Sequence, residues 1–195
     1  MAKRKLKNIF LSASIPLQER DQKYFNSADI IAIRDSVIAL ATVTLPNHRL
    51  IWGGHPSITP IIYYVIERLG LKIQDHVTLY QSLFFEKYFP SDNNKFQNVI
   101  LTKNTFDKDS SLLLMRERMF NENEFCAAIF IGGMEGVEAE YKLFKKYHPK
   151  AITLPIASTG AASQILYNKL RKKNPRLTTA YDYMALFQEL LINKI

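Results

Sequence analysis

The chain has 195 residues, 47% of them hydrophobic and 23% charged, and a net charge of +8. That length holds a domain-sized core, and the balance excludes wholesale disorder. A single cysteine, Cys126, excludes an intramolecular disulfide, and no run approaches the ~18 to 20 apolar residues of a membrane span.

At the N-terminus Lys3, Arg4, Lys5 and Lys7 precede only a short apolar run, and Gln18, Glu19, Arg20 and Asp21 follow it. That order argues against a secretory signal and for a cytoplasmic protein. Residues 8–15 (NIFLSASI) predict a buried strand ended by Pro16. The polar QERDQKYFN predicts a loop. Asn26 or Ser27 then caps a helix carrying Ile30, Ile31, Ile33, Val37, Ile38 and Leu40 at helical spacing. A second strand is expected over 49–52, cut off by Gly53 and Gly54. Thr59 before Pro60 starts a helix, because proline at the first helical position gives up no needed N–H, and Gly70 ends it. Strands are expected over 76–83 and 98–103, with the irregular, aromatic FFEKYFPSDNNKF between them. A helix over 110–121 follows, then a central strand over 127–131 ended by Gly132 and Gly133. A helix to Tyr147, a strand AITLPIA and helices around 160–173 and 180–193 complete the chain. Strands alternating with helices predict an α/β fold. The expected form is a Rossmann-like three-layer sandwich, with a mostly parallel sheet and helices on both faces, spanning 1–195 as one domain.

In such sheets ligands bind at the carboxyl ends of strands. Three strand ends here carry unusual residues: Ser12 and Ser14 in LSASIP, Gly53, Gly54 and His55 in WGGHPSITP, and Gly132, Gly133, Glu135 and Gly136 in IGGMEGVEAE. A Gly-Gly pair lets backbone N–H groups approach an anion, and the helix that follows points its positive end at the same place. One pair reads as a tight turn. Two, each before a helix, predict a phosphate-and-sugar cradle. On the helix after Gly136, Glu140 flanks the inner stripe of Val137, Tyr141 and Phe144, while Glu138 points away toward Lys142. Upstream, Arg116 and Arg118 lie on nearly opposite faces of one helix, so only one of them looks into the site. Its guanidinium would hold a phosphate or carboxylate bidentately. No metal-ligand spacing links the histidines to other ligands, so neither a metal nor a cofactor is assigned.

The basic runs, including Lys169, Arg171, Lys172, Lys173 and Arg176, read as solvated faces before a nucleic-acid site. They suit small anionic ligands equally well.

The run from Met115 to Glu140 resembles the LOG phosphoribohydrolases, also called lysine decarboxylase-like, and the wider SLOG superfamily. Those proteins carry a Met-His-Glu-Arg-Lys helix, a strand, and then Pro-Gly-Gly-x-Gly-Thr-x-x-Glu. Here Met115-Arg116-Glu117-Arg118-Met119 and the segment from Ile131 to Glu140 stand in those places. Ile131, Arg116, Met119 and Val137 depart from the pattern, one extra residue separates Gly133 from Gly136, and Ala139 replaces a glutamate. LOG enzymes cleave the N-glycosidic bond of nucleoside 5′-monophosphates, and the resemblance carries their arginine and glutamate onto Arg118 and Glu140. Divergent SLOG members sense nucleotides or NAD-derived signals, often in bacterial conflict systems, and the GGHPSITP loop is more similar to theirs. The resemblance therefore implies a nucleotide-type small-molecule ligand, either sensed or hydrolysed, and a homodimer or higher oligomer. A third reading, a nucleic-acid-binding module like the superfamily's DNA-processing members, ranks below both.

Overall fold

The computed structural model describes residues 6–70 and 73–195; Lys3, Arg4 and Lys5 of the N-terminal basic run lie outside them. Six strands form one sheet: β1 (Lys7–Ser14), β2 (His48–Gly53), β3 (Val77–Ser82), β4 (Val99–Thr102), β5 (Phe125–Gly132) and β6 (Ile152–Ile156). Their order is β4-β3-β2-β1-β5-β6, and every pairing is parallel. Parallel neighbours require crossovers, and the intervening helices supply them. These are α1 (Gln22–Phe25), α2 (Ile30–Thr44), α3 (Thr59–Leu69), α4 (Lys108–Glu122), α5 (Glu135–Tyr147), α6 (Ala161–Asn168), α7 (Arg176–Thr179) and α8 (Tyr183–Leu190). The fold is a Rossmann-like α/β sandwich. Pro155 sits in β6, at the edge of the sheet, where a missing N–H breaks no ladder on the open side.

Local chemistry sets several boundaries. Asp29, not Asn26 or Ser27, caps α2: its backbone is extended, and its side chain accepts from the Ala32 N–H at 2.9 Å. Ser27 instead accepts from the Ala161 N–H at 3.0 Å, tying the entry of α2 to the start of α6. The polar QERDQKYFN segment is not wholly loop, because Asp21 caps the single turn of α1. The aromatic stretch after β3 folds as two short 3-10 turns, Leu83–Tyr88 and Ser91–Lys95. Gly70 ends α3 in the left-handed conformation that glycine tolerates best.

Successive residues of β1 point to opposite faces, so Ile9 and Leu11 join one core and Phe10 the other. The first core packs Ile33, Val37 and Leu40 of α2, Ile62 of α3 and Phe187 of α8 against the sheet. The second packs Met115, Met119 and Phe120 of α4 with Val137 and Phe144 of α5. Phe10, fully buried, is the hub of that second core. Its ring lies edge-on to Phe120 at 4.9 Å and stacked on Phe144 at 5.6 Å between centroids. Phe10→Ala is expected to lower stability by about 3 to 5 kcal/mol. Leu113→Ala, at an exposed position of α4, should change it by less than about 0.5 kcal/mol. Urea unfolding midpoints check the pair; equal losses would mean that the aromatic cluster is not the centre of that layer.

Candidate functional site

The strand order reverses at β1, whose neighbours are β2 on one side and β5 on the other. The loops leaving β1 and β5 therefore diverge to opposite faces and leave a crevice at their carboxyl ends. A cleft of about 510 Å³ opens there, within the range of small-molecule sites. Its walls come from the ends of β1, β2 and β3 and from the first turns of α4 and α5. Ser14, Gly53, Gly54, His55, Glu135, Gly136 and Glu140 all line it, so the loops at 53–54 and 134–136 face one another across one site.

At its centre the Glu140 carboxylate accepts from two elements. Ser12 Oγ of β1 donates to Oε2 at 2.5 Å, and Arg116 Nε of α4 donates to Oε1 at 3.0 Å. Both charged side chains are largely buried, 13% exposed for Arg116 and 14% for Glu140. Ser12 stands behind Glu140 and does not reach the cleft wall. Arg116 also donates from Nη2 to the Gly136 carbonyl at 3.5 Å, while its Nη1 makes no hydrogen bond among the described residues. Arg118, the arginine that the motif resemblance points to, lies elsewhere. It is half-exposed, pairs with Glu122 at 2.7 Å and donates to the Leu101 carbonyl of β4 at 3.1 Å. The reason is packing: one flank of α4 meets α5 and the other meets the edge strand, and Arg118 is on the second flank. Glu138 also differs from expectation. It takes hydrogen bonds from the Tyr24 hydroxyl and Lys169, both at 2.8 Å, and not from Lys142.

Gly132 and Gly133 do not line the cleft. Their N–H groups are already used, Gly132 donating to Thr159 Oγ1 at 2.9 Å and Gly133 to the Ser14 carbonyl at 2.8 Å. Gly133 has φ +84, and a Cβ there would lie 2.2 Å from Val137 Cγ2, so the turn requires glycine. What the turn delivers is the start of α5. That N-terminus has no side-chain cap, and Met134, Glu135, Gly136 and Val137 line the cleft. The first N–H groups of a helix have no partner within it and carry partial positive charge. Glu135 in this first turn is ion-paired with Arg20, which also reaches the cleft.

His55 lines the opposite wall. The Ser57 N–H donates to its Nδ1 at 3.2 Å, so that nitrogen bears no proton and the neutral ring keeps its proton on Nε2. Burial pulls its pKa down to about 4, and the charge of Arg20 adds to the effect. Beside it lies Gln81 at the end of β3, with Phe85, Tyr88 and Phe89 from the turns that follow. Sequence reasoning missed these. A signal existed for Gln81, since a strand covered on both faces is expected to be apolar throughout. Among the described residues no group of three His, Cys, Asp or Glu side chains could hold a metal ion, and no helix is long and apolar enough to cross a membrane. Part of the C-terminal basic run is used internally, Lys169 by Glu138 and Arg176 by Asp182 and Glu189.

A doubly wound parallel sheet with a mixed polar and aromatic cleft at its switch point defines a Rossmann-like domain. The chain belongs to the SLOG cluster3 family, whose model matches residues 23–191. No curated protein matches it.

The low pKa of His55 makes a pH prediction with a definite sign. Unfolded, the ring takes up a proton as the pH falls through 6.5; folded, it resists until about 4. The unfolded state thus binds more protons between these values, and stability falls as the pH drops through that window, by up to about 3 kcal/mol. Above 6.5 the contribution is constant. His55→Asn should remove this component, so its urea midpoint falls less than the native one between pH 7.5 and 4.5. Parallel declines in the two proteins would show that His55 titrates as an exposed histidine.

Proposed function

We propose that this chain is a ligand-binding domain for a nucleotide or NAD-derived anion, held in the cleft at the switch point and acting as a sensor. The observation that carries the reading is the uncapped start of α5 opening, together with Arg116, into a cleft of about 510 Å³. Free N–H groups at a helix start favour phosphate, and a guanidinium with an unused Nη1 can add charge-assisted hydrogen bonds. Arg20, paired with Glu135, and the exposed Lys108, beside Asp109, also stand at the cleft and offer further N–H donors. The apolar and aromatic residues Leu112, Met115, Phe85 and Phe89 suit the uncharged half of such a ligand. Glu140, with both oxygens already accepting, holds Arg116 in place; this favours binding over turnover.

One observation supports a second reading, an N-glycosidase. Glu140 itself lines the cleft, and a carboxylate there could stabilise the oxocarbenium charge that develops as a glycosidic bond breaks. The two readings separate by experiment. The native protein is heated with AMP, NAD or ADP-ribose, and the same incubations are chromatographed for free base. A ligand at ~100 times its dissociation constant adds ~2.7 kcal/mol of stability, so binding shows as a raised melting temperature. A shift without base supports the sensor; release of base that disappears in Glu140→Gln supports the hydrolase. Neither shift nor base with any of the three would remove the nucleotide reading.

The two arginines give a sharper test. Arg116→Ala should abolish most of the ligand-induced shift, measured against that variant's own ligand-free melting temperature, because each lost charge-assisted bond costs ~1.5 to 3 kcal/mol. Arg118→Ala should leave the shift intact. The reverse pattern would move the anion site to the β4 side of α4.

A further inference from the structure

Gln81 is 4% exposed, yet its side-chain amide makes no hydrogen bond among the described residues, and it lines the cleft. The residue is buried as a whole, yet its amide is not sealed off: it keeps an open contact on the cleft side, so its hydrogen-bonding capacity is presented to the cleft. Its position is also held. Gly54 N–H donates to the Tyr80 carbonyl at 2.9 Å, bringing the loop after β2 flat against the end of β3. A Cβ on Gly54 would lie 1.9 Å from Gln81 Nε2, so the glycine leaves the space that the amide fills. A polar group with no protein partner, open to a cleft and seated against a glycine, has the geometry of a recognition element.

We propose that Gln81 selects the base of the ligand, its carboxamide pairing with the edge of a purine that presents an amino donor beside a ring-nitrogen acceptor, as adenine does. This rests on the nucleotide reading of the cleft. A carboxamide offers one donor and one acceptor side by side, the complement of the adenine amino group and its neighbouring ring nitrogen. Position decides between base and sugar. The start of α5 follows β5, and Gln81 ends β3, three strands away in the order β5-β1-β2-β3. At ~4.8 Å per strand that is about 14 Å along the sheet edge. A ribose cannot reach so far from its own 5′-phosphate; a purine beyond the ribose extends furthest toward it. Phe85, Tyr88 and Phe89 come from the chain immediately after Gln81 and line the same end of the cleft. Aromatic side chains suit the flat faces of a base, whatever its identity, and leave discrimination to the amide.

The test is calorimetric titration of the full chain with AMP and with purine riboside 5′-monophosphate, which lacks only the amino group. Native protein should bind AMP about tenfold or more tightly than the analogue, the weight of one bidentate amide–base pair. Gln81→Leu should bring the two affinities together, and Gly54→Ala should do the same by displacing the amide without removing it. Gln81→Met is the substitute if either variant fails to fold. Ligand-free Gln81→Leu should melt no lower than the native protein, because no hydrogen bond within the protein is lost and the amide is replaced by an apolar group of similar size. A lower melting temperature would assign Gln81 to the fold and overturn the proposal. Binding of both nucleotides with a ratio unchanged by Gln81→Leu, or tighter binding of GMP than AMP, overturns it while leaving the cleft a nucleotide site. Binding of none of them by the native protein removes the nucleotide reading and this proposal together.

Discussion

The carboxylate of Glu140 is the point on which the site's geometry depends. Buried behind the ends of β1 and β5, it needs partners, and it takes them from β1 through Ser12 and from α4 through Arg116. Three elements that are far apart in the chain are thereby locked at one spot. A buried ion pair contributes little net stability when complete but costs about 3 to 5 kcal/mol when one partner is removed. The arrangement therefore specifies geometry more than it adds stability. It fixes where the Arg116 guanidinium sits and leaves one of its nitrogens unused.

A second set of constraints aims α5. The turn at Gly132 and Gly133 is held from three directions: the Ser14 carbonyl, the Thr159 hydroxyl, and the start of α6, where Ala162 N–H and Ser163 Oγ donate to the two glycine carbonyls. Thr159 in turn donates to the Ile156 carbonyl of β6. Ala161, the non-glycine residue with positive φ among the described residues, lies in this knot, fully buried. Its left-handed backbone costs on the order of 1 to 2 kcal/mol, which the surrounding hydrogen bonds offset. The glycine pair acts as a fixed turn that presents the helix start to the cleft, while the N–H groups exposed there belong to the residues after it.

The cleft is graded along the sheet. Over β1 and β5 it carries ion-paired arginines and helix N–H groups; over β2 and β3 it is aromatic, with neutral donors and acceptors from His55 and Gln81. The proposed ligand, an extended anion with a flat uncharged end, would enter such a cleft in one orientation. On that proposal, charge-assisted bonds hold one end of the ligand, and the neutral polar groups discriminate at the other.

Much of this was legible in the residues. Hydrophobic runs separated by Gly, Pro and polar punctuation predicted the six strands and their parallel order class, because strands covered on both faces must be apolar and crossovers must be helical. The same pattern predicted that Ser14, Gly53, Gly54, His55, Gly136 and Glu140 would share one end of the sheet, since every strand of a parallel sheet ends on the same side. It could not choose between Arg116 and Arg118. Both lie roughly 80° from the buried stripe of Met115 and Met119, one on each side, at ~100° per residue. Only the packing of α4, with α5 on one flank and β4 on the other, separates them. Nor could it assign the glycine N–H groups or the Gln81 amide. Whether a polar group is already satisfied depends on partners from distant strands and loops, and chain pattern carries periodicity, not hydrogen-bond occupancy.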